Sequence, residues 1–270
     1  MKVGRLQGKV ALVVGGGSGM GRAGAVAMAA EGASVAVSDI ALERAQAVAA
    51  SIAEGGGTAA SMHVDVTSPE LVQRVVAETV SRFGRLDALY HCAADVPLVN
   101  TSDRRLTELD DDVWHRIIDV HLTGTFLVLK HAGRQMIAQG SGSIIVSSTV
   151  DALVGCAGLD SYTAAKGGVT SMVRSFAAGV GQDGVRVNAI APSFVSTEPQ
   201  MVWLDDPNAR ATIGSLHILP IPTPEQVAPF VVYLASDESS AVTGTVFPVD
   251  AGYMAFKARV DVMGTMQAGY

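Results

Sequence analysis

Tyr162 and Lys166 are the two residues of this sequence whose types and spacing point most directly to chemistry. They lie four residues apart in a segment predicted to be helical, and residues at i and i+4 share one face of a helix. An ammonium beside a phenol favours the phenolate and lowers the tyrosine pKa from its ordinary value of about 10. The pair could therefore act as a general base or acid toward an alcohol or carbonyl. Because such pairs are more often a solvated helix face, the interpretation depends on the elements upstream.

The composition restricts the class of protein. A chain of 270 residues with 49% hydrophobic residues can fill one large α/β domain or two small ones. A net charge of -7 argues against a nucleic-acid partner. No apolar run reaches the roughly 18 to 20 residues that span a bilayer, and the N-terminal residues lack the apolar core of a signal peptide. We therefore expect a cytoplasmic protein without membrane partners. Isolated Cys92 and Cys156 predict neither a disulfide framework nor a metal site.

Short apolar or alternating runs, typical of strands, alternate with helical stretches along the chain. The predicted strands are Lys9–Val14, Ala33–Ser38, Thr58–His63, Leu86–His91, Gly142–Ser147, Val185–Ile190 and Thr245–Val249. The predicted helices span residues 19–31, 41–54, 68–83, 110–138, 161–181 and 224–236. The alternation indicates an α/β fold, a single-domain doubly wound (Rossmann) parallel sheet of about seven strands with helices on both faces.

We assign residues 1–253 to one dinucleotide-binding and catalytic domain and residues 254–270 to a C-terminal tail. The irregular stretch 191–223 is predicted to act as a lid over the site. The tail carries several apolar residues, which suggests docking on a neighbouring subunit of a homotetramer. A simple frayed end is the alternative.

A glycine-rich segment follows the first predicted strand directly. Glycines permit a tight turn and let the backbone approach a pyrophosphate at the N-terminus of the next helix. The candidate cofactor-binding residues of this segment are Gly15, Ser18, Gly19, Met20 and Gly21. A purely structural turn is the alternative reading of the same glycines.

Acidic residues end the second and third predicted strands. Asp39 could accept both hydroxyls of an adenosine ribose, and it would repel the 2′-phosphate of NADP. Because the adjacent Ile40 brings no cation, the sequence favours NAD. Asp39 could also cap the following helix, and the two roles are compatible. Asp65 and Val66 follow the third strand, where an adenine amino group is expected.

Together these motifs resemble those of the short-chain dehydrogenase/reductase family, and the match covers nearly all of residues 6–253. The motifs that carry the resemblance are Gly15-x-x-x-Gly19-x-Gly21, Asp39, Asp65-Val66, residues 142–148, Tyr162-x-x-x-Lys166, residues 186–192 and residues 242–253. The resemblance implies hydride transfer between the nicotinamide of NAD and the carbon of a secondary alcohol or ketone.

The resemblance also implies roles for individual residues. Tyr162 would exchange the proton, Lys166 would lower the Tyr162 pKa and bind the nicotinamide ribose, and Ser148 would hydrogen-bond the substrate oxygen. Ser148 has hydroxyl neighbours on both sides, and its spacing to Tyr162 is one residue longer than in many relatives. The further cofactor contacts implied are Ala93, Pro192, Val195 and Thr197.

Two segments depart from the family pattern. His121 stands where relatives have an asparagine that binds a water on the proton path from the lysine. An imidazole can hold that water and, with an ordinary pKa of about 6.5, could itself relay protons. The alternative is a buried neutral histidine without kinetic consequence. Residues 91–94 read His-Cys-Ala-Ala where relatives have Asn-Asn-Ala-Gly.

The loops expected to line the substrate site are largely apolar, which favours a hydrophobic or cyclic secondary alcohol over a sugar or phosphate ester. These residues are Asp95, Val96, Pro97, Leu98, Val150, Leu153, Val154, Phe194, Met201, Trp203, Leu204, Leu216, His217 and Ile218. Two alternatives stay open: a 3-oxoacyl-thioester reductase, and a non-catalytic dinucleotide-sensing protein of the same fold. Asp39 counts against the first, and the Tyr162–Lys166 pair counts against the second.

Overall fold

A computed structural model describes residues 4–256 of the chain, and in this range seven parallel strands form one sheet. The strands are β1 (Val10–Val14), β2 (Ser34–Asp39), β3 (Thr58–His63), β4 (Ala88–His91), β5 (Gly142–Ser147), β6 (Val185–Pro192) and β7 (Val246–Val249). Their order is β3-β2-β1-β4-β5-β6-β7, so the winding direction reverses between β1 and β4. Such a reversal opens a crevice at the carboxyl ends of the strands. The predicted fold class is confirmed.

Helices cover both faces of this sheet. They are α1 (Gly19–Ala30), α2 (Leu42–Glu54), α3 (Pro69–Phe83), α4 (Val96–Ser102), α5 (Asp111–Ile118), α6 (Gly124–Gln139), α7 (Asp160–Val180), α8 (Met201–Leu204), α9 (Pro207–Ser215) and α10 (Pro224–Ala235). Among the residues that the structure describes, no helix has the length and apolar character needed to cross a membrane.

The alternation of side chains along β1 explains how the layers are held together. Leu12 and Val14 point into the core beneath α3, α6 and α7. Ala11 and Val13 point to the other face, into the core with α1, α2 and α10. All four side chains are fully buried, as expected for a parallel strand covered on both faces.

The segment predicted as one helix over 110–138 is divided. It consists of α5, a π-helical turn over Asp119–Thr123 and α6, and the backbone stays helical through both junctions. A π turn widens the helix locally and is often associated with functional sites. His121 lies within it, completely buried. Hydrophobic periodicity could not predict this turn, because it leaves the helical pattern nearly unchanged.

Short helices account for the other differences. The stretch 191–223, predicted as irregular, begins with the last residues of β6 and contains α8 and α9. The Asp206 carboxylate caps α9 by accepting from the amides of Asn208 and Ala209 at 2.8 and 2.9 Å. Helix α4 was not predicted either, and Asp95 caps it by accepting from the Leu98 amide at 3.2 Å. Residues 257–270, most of the predicted tail, lie outside the described residues.

Candidate active site

One cleft at the carboxyl ends of the strands gathers nearly all of the predicted site residues. Those that line it are Gly15, Ser18, Gly19, Met20, Asp39, Ile40, Asp65, Val66, Ala93, Ser148, Tyr162, Lys166, Pro192, Val195 and Thr197. Gly21 and His121 do not line it: Gly21 packs beneath the turn, and His121 is buried behind the cleft wall.

The glycine-rich turn between β1 and α1 has the shape of a phosphate cradle. Gly15 and Gly19 adopt positive φ angles of 80° and 50°, which favour glycine. A Cβ on Gly15 would lie 2.6 Å from the Ala93 backbone, and one on Gly21 would collide with the Gly15 carbonyl oxygen. The three glycines therefore allow the first turn of α1 to lie close to its neighbours, with its N-terminus facing the cleft where an anion can bind.

Asp39 braces this turn from the end of β2. Its carboxylate accepts hydrogen bonds from the Gly17 amide at 2.9 Å and from the Ala41 amide at 3.0 Å. Arg44, in the first turn of α2, lines the same end of the cleft as Ile40. The sequence argument considered only the adjacent Ile40, whereas the first turn of α2 brings a cation that is not adjacent in sequence to the same end of the cleft.

Glu198 lies at the N-terminus of α1, although no sequence motif marks it as a site residue. One carboxylate oxygen accepts from the Gly19 amide at 3.1 Å. The other oxygen lies 2.9 Å from the Arg22 guanidinium. The carboxylate thus satisfies one free amide at the positive end of the helix, as a phosphate oxygen would.

Tyr162 is held in place from the N-terminus of α7. Buried Asp103 accepts from the Tyr162 amide at 3.0 Å and from the Ser161 hydroxyl at 2.7 Å. Because this carboxylate caps the helix that carries Tyr162, it fixes the start of the helical face shared with Lys166. Asp103 lies 59 residues away in sequence, so no local motif could have revealed it.

Lys166 is buried, and its ammonium donates to the Ser147 carbonyl oxygen at 2.7 Å. Its Nζ lies 5.8 Å from the centre of the Tyr162 ring. Burial lowers the pKa of Lys166 to about 8. The same environment raises the pKa of Tyr162 well above its usual range, chiefly through burial and then through the charges of Asp151 and Cys92. The expectation that Lys166 lowers the Tyr162 pKa is therefore not met in this structure.

The two hydroxyls that follow β5 have different environments. The Ser148 hydroxyl is buried against α7, 2.9 Å from the Thr170 hydroxyl and 3.4 Å from the Lys166 carbonyl oxygen, to which it donates. The Thr149 hydroxyl, by contrast, lies near enough to the Tyr162 hydroxyl to oppose the rise in the Tyr162 pKa, and it donates to the Asp151 carboxylate at 3.0 Å. The hydroxyl beside the tyrosine is thus that of Thr149, and Ser148 is directed at the helix backbone. The spacing from Ser148 to Tyr162, one residue longer than in many relatives, could have indicated Thr149, because Thr149 lies at the usual spacing from Tyr162.

His121 packs against Tyr162 without lining the cleft. The two rings meet edge to face with centroids 5.2 Å apart, and the His121 Nε2 accepts from the Asp95 amide at 3.3 Å. The proton of the neutral ring therefore lies on Nδ1, which is buried without a partner among the described residues. Burial, followed by the charge of Lys166, lowers the His121 pKa well below its usual value. The lowered pKa favours the neutral imidazole over the ring of ordinary pKa that the relay role assumed.

His91 and His121 are joined through one side chain. His91 Nε2 lies 3.0 Å from the Thr125 hydroxyl, which donates to the His121 carbonyl oxygen at 2.7 Å. That geometry makes His91 Nε2 the donor to Thr125 and leaves its Nδ1 as a buried acceptor. These two hydrogen bonds connect His91, at the end of β4, to the π turn that contains His121.

The predicted substrate-lining residues differ in position. Asp95, Val96 and Pro97 line the cleft. Val150, Leu204 and His217 are buried in the fold and do not line it as expected. His217 bridges the Ile213 carbonyl oxygen at 2.8 Å and the Ser193 hydroxyl at 2.9 Å, which ties the end of α9 to the end of β6. The large side chains that remain on the surface of this region are Val154, Trp203, Leu216 and Ile218, exposed by 40, 43, 46 and 52%.

Comparisons with known proteins agree with this geometry. A sequence profile described as "Enoyl-(Acyl carrier protein) reductase" matches residues 15–254. The chain is 41% identical to a 3-alpha-(or 20-beta)-hydroxysteroid dehydrogenase of Mycobacterium bovis, covering 96% of this chain and 94% of that protein. It is 39% identical to a cis-4-hydroxycyclohexanecarboxylate dehydrogenase of Sinomonas cyclohexanicum, covering 92% and 97%. The crystal structure of levodione reductase superimposes with a TM-score of 0.85 at 31% identity, covering 93% of this chain and 100% of that one.

Proposed function

Because the chain belongs to the short-chain dehydrogenase/reductase family, we propose that it is an NAD-dependent oxidoreductase of hydrophobic cyclic secondary alcohols and ketones. Proteins of this family use nicotinamide dinucleotides, and its relatives act on secondary alcohols. The proposal rests above all on the meeting of Tyr162, Lys166 and Thr149 in the cleft that the glycine-rich turn also lines.

The residues of the turn fit a dinucleotide. A Cβ at Gly15 or Gly21 would clash with the backbone packed against it, so the glycines permit the close packing that a diphosphate at the α1 N-terminus requires. The Glu198 carboxylate would have to give up the Gly19 amide to that diphosphate. Asp39 would hold the adenosine ribose hydroxyls, and Lys166 would bind the nicotinamide ribose. When bound, the cofactor supplies the acceptor or donor of the hydride.

The chain's own residues move the proton. Since burial raises the Tyr162 pKa, the phenol keeps its proton near neutral pH and can donate it to a carbonyl oxygen during reduction. In the reverse direction the phenolate takes the proton of the alcohol, so oxidation is expected to accelerate with rising pH. Thr149, and not Ser148, is proposed to hold the substrate oxygen. Lys166, with a pKa of about 8, can exchange a proton with Tyr162 at moderate pH.

His121 is proposed to position Tyr162. Its edge-to-face contact fixes the phenol ring, and its unpartnered Nδ1–H could hold a water of the proton path. Because its pKa is lowered, the imidazole would act there as a neutral hydrogen-bonding group.

NAD is favoured over NADP by the carboxylate of Asp39, which would repel a 2′-phosphate. Arg44 lines the same end of the cleft and could attract that phosphate, so it argues in the opposite direction. We give more weight to Asp39 because it is fixed by two backbone amides, whereas Arg44 has no described hydrogen bond that fixes its guanidinium.

The substrate class follows from the surface near the cleft and from the relatives. Exposed Trp203, Leu216 and Ile218 lie in the segment proposed as a lid, and they give it an apolar character suited to a ring substrate. The relatives named above act, by their names, on a hydroxysteroid and a hydroxycyclohexane. A cyclic secondary alcohol is therefore favoured over a 3-oxoacyl thioester.

The test compares substrates and cofactors in one activity assay. Absorbance of the reduced nicotinamide would be followed with NAD or NADP and a panel of a cyclohexanol, a 3-hydroxysteroid, a linear secondary alcohol and a 3-oxoacyl thioester. The proposal predicts the highest kcat/KM with NAD and a cyclic alcohol. Preference for NADP would refute the Asp39 argument, and dinucleotide binding without turnover of any substrate would support the non-catalytic alternative.

A further inference from the structure

Asp151 is a carboxylate near the catalytic group to which neither the motifs nor the proposed mechanism gives a role. It lies in the short helical turn Val150–Ala152 that follows β5, and it is half-buried. Its carboxylate accepts from the Thr149 hydroxyl at 3.0 Å, and its amide donates to the same hydroxyl oxygen at 3.2 Å. These reciprocal bonds hold the carboxylate and the Thr149 side chain together.

The charge of Asp151 faces titratable groups from three parts of the chain. It raises the pKa of Tyr162 on α7, of Cys156 in the following loop and of Tyr253 after β7, in each case as a smaller cause than burial. Burial likewise raises the pKa of Asp151 itself. Within residues 4–256, no cationic side chain forms an ion pair with Asp151. Its charge is therefore not neutralised locally.

The Thr149 hydroxyl has only one proton to donate. In this structure that proton lies on the bond to the Asp151 carboxylate, so the carboxylate and a substrate oxygen beside Tyr162 compete for it. When the negative charge is removed, the proton becomes available to an oxygen placed beside Tyr162. One carboxylate thus acts on both groups that would contact the substrate oxygen.

We propose that Asp151 is a positioning residue for the reaction: through its reciprocal hydrogen bonds it orients the Thr149 hydroxyl, which lines the same cleft as Tyr162. The inference rests on the proposed function, because it assumes that Tyr162 and Thr149 contact the reacting oxygen. Asp151 keeps the phenol protonated to higher pH, which favours the acid form needed for ketone reduction and delays alcohol oxidation until alkaline pH.

The test compares Asp151→Asn with the wild type in two pH titrations. The first is the pH profile of kcat for alcohol oxidation. The second is the phenolate absorbance of Tyr162, obtained without turnover as the difference between each protein and its Tyr162→Phe counterpart. Removal of a neighbouring negative charge is expected to move both midpoints down by about one pH unit.

Asp160→Asn is the matched control. It removes the same charge two positions from Tyr162, but Asp160 accepts from the Leu106 amide at 2.8 Å and is not among the groups that act on Tyr162. Its midpoints should stay at the wild-type values. Asp151→Ala serves as a second variant if Asp151→Asn folds poorly.

The outcomes separate the two proposals. Unchanged midpoints in folded Asp151→Asn, or an equal shift in Asp160→Asn, would overturn the role of Asp151. A shifted phenolate titration in a protein that oxidises no alcohol would support the electrostatic effect of Asp151 and refute the proposed function. Shifts in both titrations of Asp151→Asn alone support the whole inference.

Discussion

Among the single residues of the site, the hydroxyl after β5 that faces Tyr162 is the one expected to hold the substrate oxygen. Thr149 lines the cleft near the Tyr162 hydroxyl and acts on its pKa, whereas Ser148 bonds to Thr170 and to the α7 backbone. A hydroxyl that stabilises charge on the substrate oxygen contributes to the transition state more than to binding.

Thr149→Val is therefore expected to lower kcat by about 10²-fold, the size observed when one such donor is removed, with a small change in KM. Ser148→Ala is the matched control and should keep kcat within a few-fold of the wild type. Steady-state kinetics on both variants would check this. A larger loss of kcat in Ser148→Ala than in Thr149→Val would show that Ser148, and not Thr149, holds the substrate oxygen.

The sequence predicted which residues line the cleft better than it predicted the pKa values of their side chains. Tyr162, Lys166 and Asp39 line the cleft that their motifs indicated. The pKa directions could not be predicted, because they follow from burial, which a sequence does not state. The reversal at Tyr162 arises because desolvation outweighs any effect of the nearby ammonium.

At the scale of elements, the first turn of α1 is the place where the proposed lid meets the proposed cofactor site. Glu198 accepts from the Gly19 amide and pairs with Arg22. A dinucleotide diphosphate needs the same amides, so the two anions compete for one helix end.

Replacement of this carboxylate should therefore strengthen dinucleotide binding. We expect Glu198→Gln to lower the Kd for NAD several-fold, measured by quenching of tryptophan fluorescence or by calorimetry. Glu225→Gln, which changes an exposed carboxylate in the first turn of α10, should leave the Kd unchanged. Weaker NAD binding in Glu198→Gln alone would mean that Glu198 supports the bound cofactor and does not compete with it.

Strands and long helices were predictable because their periodicity is strong, and the seven strands lie within two residues of their predicted starts and ends. The π turn around His121 and the short helices α4, α8 and α9 were not predicted. Caps such as Asp95 and Asp206 stabilise these short helices, and the packing of His121 beside Tyr162 accompanies the π turn. Such local hydrogen bonds leave a weak signal in a sequence.

At the scale of the whole molecule, two buried histidines link stability to pH. Burial, and then the charge of Lys166, lowers the pKa of His91 from 6.5 to about 3. The unfolded chain takes up this proton as the pH falls through 6.5, whereas the folded chain does so only near 3. The stability that depends on neutral His91 is thus complete above pH 6.5 and is lost between these two values. The lowered pKa of His121 acts in the same direction.

We expect the free energy of unfolding to fall as the pH is lowered through this window. His91→Asn should flatten the decline by up to about 1.4 kcal/mol for each pKa unit by which His91 is displaced. Urea titrations from pH 7 to pH 4 would measure it, with exposed His63→Asn as the control. An equally steep decline in His91→Asn would show that this histidine is not responsible.

The homotetramer stays a prediction. The apolar tail from which it was inferred lies largely in residues 257–270, outside the described part of the chain.

Tyr162 is proposed to exchange the proton in an NAD-dependent oxidation of a cyclic secondary alcohol. The most direct measurement is reduced nicotinamide formation by the wild type and Tyr162→Phe, with NAD affinity determined for both and Tyr233→Phe as the control. We predict that Tyr162→Phe loses at least about 10²- to 10⁴-fold in kcat, the range of general acid–base catalysis, while its Kd for NAD is nearly unchanged. Equal kcat in Tyr162→Phe and the wild type would show that Tyr162 does not exchange the proton.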